Sequence, residues 1–498
     1  MTKKIAIVGA GIAGLCAGVY ARKSGFDVEI FEKERASGGL ATSWKRQGYT
    51  FETCLHWLLG SNPRGPFHRL WKEVFDIDQL KFVDLEEFAH VEAESGERLI
   101  VHRNPERLEA ELLNAAPEDR IPISRLVAGV KKLARMSMPV PGVGPLGYAL
   151  QLIKALPYLP EMRFWMRITA EDFGSRFRNP LLRALFGEGG EARLSAAALV
   201  FSLGWMGNKD AQYPIGGSRA VIEPIERRFL DLGGKIHFEA KVDRILVENG
   251  AAAGIHLARG DEIRSDWVVS AADGHAALFE WIPPEYVDER VAAPYRNLET
   301  FPSYLQVSLG VKRGLSSEPP FFIRILQQPL DVDPKTRTER LTFRVFNFDP
   351  TFAPQGKTAV TCFIPTFNYA YWAELYRANP AEYAARKKEV ADRVIEALER
   401  RIPGIKKDIE ETDVSTPASV IRHTGNWQGS MEGFLLTPKS GFRTLPNALE
   451  KLRNFLMVGQ WVMPGGGLPS GLMTGRDGIR RICRAEGVAF QRRMQRTS

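Results

Sequence analysis

The sequence predicts an α/β fold in two parts: one domain discontinuous in sequence, and an α+β domain with a mixed sheet and a helical lid inserted between its pieces. Three observations carry this. A strand, glycine turn, helix and second strand open the chain in KKIAIVGAGIAGLCAGVYARKSGFDVEIFEKE. A glycine turn, helix and strands return in mid-chain from YPIGGSR, and VGQWVMPGGGLPSGLMTGRDG, residues 458–478, runs a glycine cluster into a last helix. At 498 residues the chain exceeds what one hydrophobic core serves, so two or three domains are expected.

The opening unit is the most specific. Apolar Ile5 to Val8 read as a buried strand, and Gly9-x-Gly11-x-x-Gly14 follows at once. The first glycine makes the turn, the second lets backbone approach a pyrophosphate, and the third lets the helix pack on the strand. Ile12 and Ala13 begin that helix, whose free N–H groups and partial positive charge suit phosphate. Glu32 ends the second strand, where a carboxylate can accept hydrogen bonds from a ribose, and Lys33 follows it. This is a Rossmann dinucleotide site. A second literal match, Gly142-x-Gly144-x-x-Gly147, follows MSMPVP rather than a strand, contains Pro145 and is read as a loop. One fingerprint remains, with no separate nicotinamide domain.

Beyond Glu32, the doublet Gly38-Gly39 offers another close backbone approach, continued by Leu40, Thr42 and Ser43. This segment resembles the FAD-binding segment of glutathione-reductase-like flavoproteins, in the branch that contains amine oxidases and carotenoid desaturases. Many members carry arginine directly after the doublet, where this chain has Leu40. The resemblance implies FAD as cofactor and a discontinuous FAD-binding domain, here residues 1–60, 213–275 and 441–498. In its middle piece Gly216-Gly217 turns into an amphipathic helix, strands follow from Ile236, one of them bearing Val242 beside the adenine, and WVVSAAD ends at Asp273. In its last piece the strand Phe455–Val458 leads through Gly459 and Gln460 to Gly466, Gly467 and Leu468, where a helix N-terminus would face the flavin.

Residues 61–212 and 276–440 form the expected substrate domain, with strand-like runs SYLQVSLGV, LTFRVFNF and TAVTCFIPTF. GYTFETCLHWLLG, YPIGGSRAVIEPI and VGQWVMPGGGLPSGLMTGR together resemble the phytoene desaturase, carotenoid isomerase and retinol saturase family. That resemblance implies a long apolar tunnel for a lipid, hydride chemistry on carbon–carbon bonds, and frequent peripheral attachment to membranes. His56 and Glu52, in the segment that passes near the flavin in relatives, are the candidate proton carriers; His275, His423 and Trp461 are weaker ones. Reduced flavin would be reoxidised by a quinone, oxygen or an external partner, or would cycle without net redox change. Two other readings stay open: an amine-oxidase-like enzyme, and a non-enzymatic prenyl- or lipid-binding escort of the same fold.

Composition narrows the partners. Cys16, Cys54, Cys362 and Cys483 lie far apart with no Cys-x-x-Cys pair, which argues against a disulfide framework, a zinc site and a dithiol centre, and no metal is expected. Between Arg120 and Arg183 eleven basic residues face three acidic ones, an excess equal to the +8 of the whole chain. The same stretch carries MPVPGVGPLGYALQLIKALPYLPEMRFWM, too interrupted to span a bilayer but suited to an anionic membrane surface. No basic and aromatic alternation marks a nucleic-acid module. The N-terminus lacks a cleavable leader pattern, so a cytoplasmic protein is expected, peripheral on the inner face of the membrane.

Overall fold

The computed structural model describes residues 2–140, 144–187 and 191–492. Its first layer is a five-stranded parallel sheet in the order 235–237, 27–31, 4–8, 267–270, 455–457. The strands come from three distant stretches of sequence. The strands 4–8, 267–270 and 455–457 are short and almost wholly buried, as a sheet covered on both faces requires, and 235–237 is a partly exposed edge. A smaller antiparallel sheet, 242–248, 251–257 and 262–264, stands beside it.

Two helices lie together on one face of the parallel sheet. The first, Ile12–Lys23, follows the opening strand, and the final one, Gly467–Ala485, follows the last. Their contact is backbone on backbone. A methyl group on Gly475 would come within 2.8 Å of Ala13 O and 3.1 Å of Ala17 N, and one on Gly471 within 2.6 Å of the Ile12 side chain. Glycines at a spacing of four residues therefore form a groove that takes the small side of the first helix. Arg476, fully buried, fixes the seating by donating from Nε to Glu73 at 2.8 Å, while the Tyr20 hydroxyl donates to the same carboxylate at 2.9 Å.

The second part is a mixed seven-stranded sheet in the order 409–415, 303–311, 358–366, 336–345, 321–333, 87–93, 98–102. All its pairings are antiparallel except 321–333 with 87–93. Period-two alternation gives it two different faces. Leu305, Val307, Leu341, Phe343, Cys362 and Ile364 pack on the helices Tyr369–Ala378 and Pro380–Arg401. Tyr304, Arg340, Thr342 and Phe363, the alternate positions, floor a cavity. A helical cluster built from Arg120–Ala134, Ala197–Gly207 and their neighbours roofs it through Leu199, Phe201 and Trp205.

The second glycine match is not a loop. Gly142 lies outside the described residues, while Gly144–Ala155 forms a helix, because GPLGYALQLIKA places its proline in the first turn, where the missing N–H costs nothing. Asp273 is a helix cap, its Oδ1 accepting from Ala276 N and its Oδ2 from Trp427 N, each at 2.8 Å.

Replacing an interior helical glycine by alanine ordinarily stabilises by up to about 1 kcal/mol. Gly475→Ala is expected to do the reverse, lowering the melting temperature because the added methyl must push the two helices apart, at a cost of about 1–3 kcal/mol. Gly314→Ala, with its nearest neighbour 3.8 Å away, serves as the neutral control in the same thermal melts.

Candidate functional site

The glycine segments that are scattered in sequence meet at the N-terminus of the first helix. Gly38 N–H donates to Ala10 O at 3.0 Å, and a methyl on Gly39 would touch Gly11 Cα at 3.5 Å. Thr42 packs against Gly38, and Ser43 opens the hairpin that follows; Leu40 is half-buried beside them. From the far end of the chain Gly459 lies against Ala13, and Gly471 against Ile12. Glu32 is buried, its carboxylate accepting from Ala10 N at 2.7 Å and Glu34 N at 3.0 Å, which ties the turn to the end of the second strand. Ala240 N–H donates to Glu32 O at 2.8 Å and so brings the strand beginning at Val242 alongside. Lys33 instead donates from Nζ to Arg422 O at 2.7 Å.

The three glycines of the opening motif separate cleanly by physics. Gly9 has φ 100, which L side chains rarely adopt. A methyl on Gly14 would sit 2.0 Å from Gly9 O, so that position must be bare for the helix to seat. Gly11 has neither reason: its φ is −71 and its nearest neighbour to an added methyl is 3.9 Å away. The protein leaves that space open. Both the first and the final helix, moreover, start at a glycine with no side-chain cap and no acidic residue in the first turn. Uncapped N–H groups beside bare glycine fit an anionic, planar ligand.

From the head of the final helix a cavity of ≈ 1160 Å³ extends between the two parts of the molecule. Gly465, Gly466, Gly467 and Leu468 line its inner end, aromatic and aliphatic side chains its walls, and the exposed Tyr148, Phe442, Arg443, Arg480 and Arg492 its outer rim. Gln460 lies just before the glycine cluster, near Gly433.

His56 projects into this cavity, its ring among Trp57, Phe321 and Phe363. The apolar surroundings, with the Arg344 guanidinium behind it, lower its pKa to about 3, so the imidazole is neutral at any ordinary pH. Arg344 is buried and positions this segment by donating to Leu55 O and, at 3.1 Å, to His56 O. Glu52 does not line the cavity. Its carboxylate accepts from Ser218 N at 2.8 Å and from the Tyr213 hydroxyl at 3.4 Å, beneath the mid-chain helix Gly217–Asp231. His275 stacks on Trp427 and His423 is exposed near Glu34, both outside the cavity lining; Trp461 is buried against Tyr295 and Phe434. Glu432, which no sequence pattern singled out, does line the cavity beside Gly466, and burial raises its pKa to about 7.

Residues 12–483 match the family described as flavin containing amine oxidoreductase. The chain belongs to this family. It is therefore an FAD-dependent oxidoreductase. Among relatives, this flavoprotein is similar to a 4,4'-diapophytoene desaturase of Methylomonas sp, 26% identical over 523 aligned positions that cover 98% of this chain and 97% of the relative. It is similar also to a chloroplastic prolycopene isomerase of Daucus carota, 23% identical, covering 93% of this chain and 77% of the relative. Its fold resembles that of cyclohexylamine oxidase from Brevibacterium oxydans, with a TM-score of 0.61 at 14% identity over 98% of this chain and 100% of that one.

In this flavoprotein Gly11→Val tests the reading of the open space. The variant is expected to melt within about 1 kcal/mol of the flavin-free wild type, since only an N-cap preference is lost. Its affinity for FAD is expected to fall by well over tenfold, about 1.4 kcal/mol per decade. Absorbance of the purified protein and calorimetric titration with FAD measure both.

Proposed function

We propose that this FAD-dependent oxidoreductase desaturates, saturates or isomerises carbon–carbon bonds in a long apolar polyisoprenoid of carotenoid or retinoid kind. The observation that carries this is the cavity, larger than the roughly 300–1,000 Å³ of ordinary ligand pockets and lined mostly by apolar side chains from the glycine loop to the rim. The desaturase and isomerase names of the two relatives point to the same substrate class.

The proposal extends to the cofactor contacts. The N–H groups at Gly11, Ile12 and Ala13 with Gly14, Gly38 and Gly39 would hold the pyrophosphate, helped by Leu40, Thr42 and Ser43 along the same turn. Glu32 would hold the adenosine ribose and the backbone at Val242 the adenine. Gly459, Gln460, Gly466, Gly467 and Leu468, with the final helix's N-terminal dipole, would face the ring system. When bound, the flavin supplies hydride transfer. The chain's own work is to hold the polyene across the inner end of the cavity and exclude water. His56, neutral and wedged among aromatic rings, contributes shape and a hydrogen-bonding ring nitrogen. Electrons would pass to or from a quinone, oxygen or another external partner.

The rim suits substrate delivered by a lipid surface. The helix Gly144–Ala155 and the turn after it expose Leu146, Leu150, Ile153 and Leu156 at 76%, 50%, 59% and 55% of their surface, with Lys154 among them. Tyr148 of the same helix lies on the cavity rim near Phe442, and Arg443, Arg480 and Arg492 add positive charge. Among the described residues no helix is long and apolar enough to cross a membrane. An anionic bilayer touched by this face would meet apolar and basic groups together, with the cavity opening toward the acyl chains.

Two measurements follow. Anaerobic mixing of the reduced and oxidised holoenzyme with a panel of polyenes, quinones and amines should change the flavin spectrum with polyenes and leave it unchanged with amines; the opposite pattern would sink the lipid reading. Leu150→Glu combined with Ile153→Glu should weaken binding to vesicles rich in anionic phospholipid at least tenfold, given about 1.5–3 kcal/mol per buried aliphatic side chain. Turnover of detergent-dispersed substrate should persist in that variant, and vesicle binding equal to wild type would remove the membrane from the account.

A further inference from the structure

Carbon–carbon desaturation removes the elements of H⁻ and H⁺ from neighbouring carbons, and a flavin accounts only for the hydride. His56 is neutral with a pKa too low to hold a proton near neutrality, and Glu52 is spent on Ser218 and Tyr213. The proton still needs a place.

Glu432 is held in the cavity wall by backbone pairing of the residues that follow it. Gly433 O accepts from Phe301 N at 2.8 Å, and Leu435 N donates to Glu299 O at 2.7 Å. Its Cβ and carbonyl abut the glycine loop: a methyl on Gly466 would lie 2.6 Å from each. Among the described residues its carboxyl makes no hydrogen bond and no ion pair, and burial alone shifts it. The groups that face it are few. Cys54 and Tyr304 sense its charge, yet the Tyr304 hydroxyl is committed to Glu191 at 2.5 Å, and Glu191 in turn to Arg340 at 2.8 Å. His56 is neutral, the Arg344 charge lies behind the Leu55–His56 backbone, and the glycine loop has no titratable side chain. An unpartnered carboxyl in an apolar chamber costs stability and contributes nothing to the packing there. A pKa of about 7 lets it give and accept a proton near neutral pH with equal ease.

We propose that Glu432 is the proton carrier of the reaction, its carboxyl taking a proton from, or returning it to, a carbon of the bound polyisoprenoid. This rests on the functional reading above. In the desaturating direction the flavin, when bound, would supply the hydride acceptor for one carbon, and the neighbouring carbon would lose its proton to Glu432 Oε, the electron pair of that second C–H bond becoming the π bond. Saturation is the reverse. Isomerisation uses the same carboxyl to protonate the polyene and then deprotonate it after rotation.

The test compares flavin-loaded wild type, Glu432→Gln and Glu432→Asp. Infrared titration should show a protonated-carboxyl C=O band in the wild type that disappears with a midpoint near pH 7 and is missing in Glu432→Gln. Because the folded-state pKa lies above the unfolded value of 4.5, the wild type loses stability as pH rises from 4.5 to about 7. Glu432→Gln should accordingly melt progressively higher than wild type across that window. With flavin content and KM held within a few-fold, kcat of Glu432→Gln should fall by about 10²–10⁴, with part of it restored in Glu432→Asp. Turnover of Glu432→Gln near the wild-type rate with an unchanged pH profile would overturn the proposal, as would an infrared titration identical in the two proteins. A wild type that turns over no polyene overturns the functional reading, and the proposal with it, before any variant is compared.

Discussion

The contact on which the rest of the molecule depends is the seating of the final helix on the first, glycine groove against Ala13 and Ala17. Helices ordinarily approach to about 8–10 Å between axes, and removing Cβ atoms at the crossing lets backbones touch. Because the partners stand at opposite ends of the chain, this one contact closes a sheet whose strands come from three separated stretches. It also puts two uncapped helix N-termini, each headed by bare glycine, on the same side of that sheet. Neither N-terminus has a side-chain cap, an arrangement that a bound anionic ligand would satisfy.

The same economy governs the cavity. Its floor is the alternate face of a sheet whose other face is packed on helices, so strands rigid enough to hold a core also hold the site. Residues at i and i+1 on these strands have opposite fates: Leu341 and Phe343 go to the core, Arg340 and Thr342 to the cavity. A one-residue slip in the pairing would exchange the two sets, which is why the long registers of 303–311 with 358–366 and 409–415 matter to function as much as to stability.

What was legible in the sequence follows from how local each signal is. The strand-turn-helix at the N-terminus is local, and the need for glycine at Gly9 and Gly14 follows from spacing alone. SYLQVSLGV spans the strand 303–311 because alternation over nine residues leaves little choice of period. The stretch Gly144–Ala155 reads as a loop in the sequence because glycine and proline weigh against a helix interior, whereas in the structure they stand at the start of a helix. Glu52 and His56 are close in sequence, yet the chain turns between the end of the strand Tyr49–Glu52 and the cavity wall, and the two side chains diverge. Glu432 carried no signal at all. Gly466, Cys54 and Tyr304, which lie around it, are brought in from three other regions of the chain, and no window of sequence contains them together.

Apolar chambers that must carry out proton chemistry face a conflict, since every charge inside them weakens the fold. His56 is held below its usual value of 6.5, at about 3, so the fold loses stability as pH falls through that interval, where the unfolded chain binds the extra proton. Glu432 is held above 4.5, at about 7, and its contribution has the opposite sign, stability being lost as pH rises. Between 4.5 and 6.5 both groups are mostly neutral in the folded protein, and Glu191 and Arg340 in the cavity wall are bonded to each other. Above that window Glu432 carries a charge in a largely apolar wall. A group that costs the fold in this way, next to the loop that heads the final helix and with no partner among the described residues, is accounted for by the reaction and by nothing in the packing.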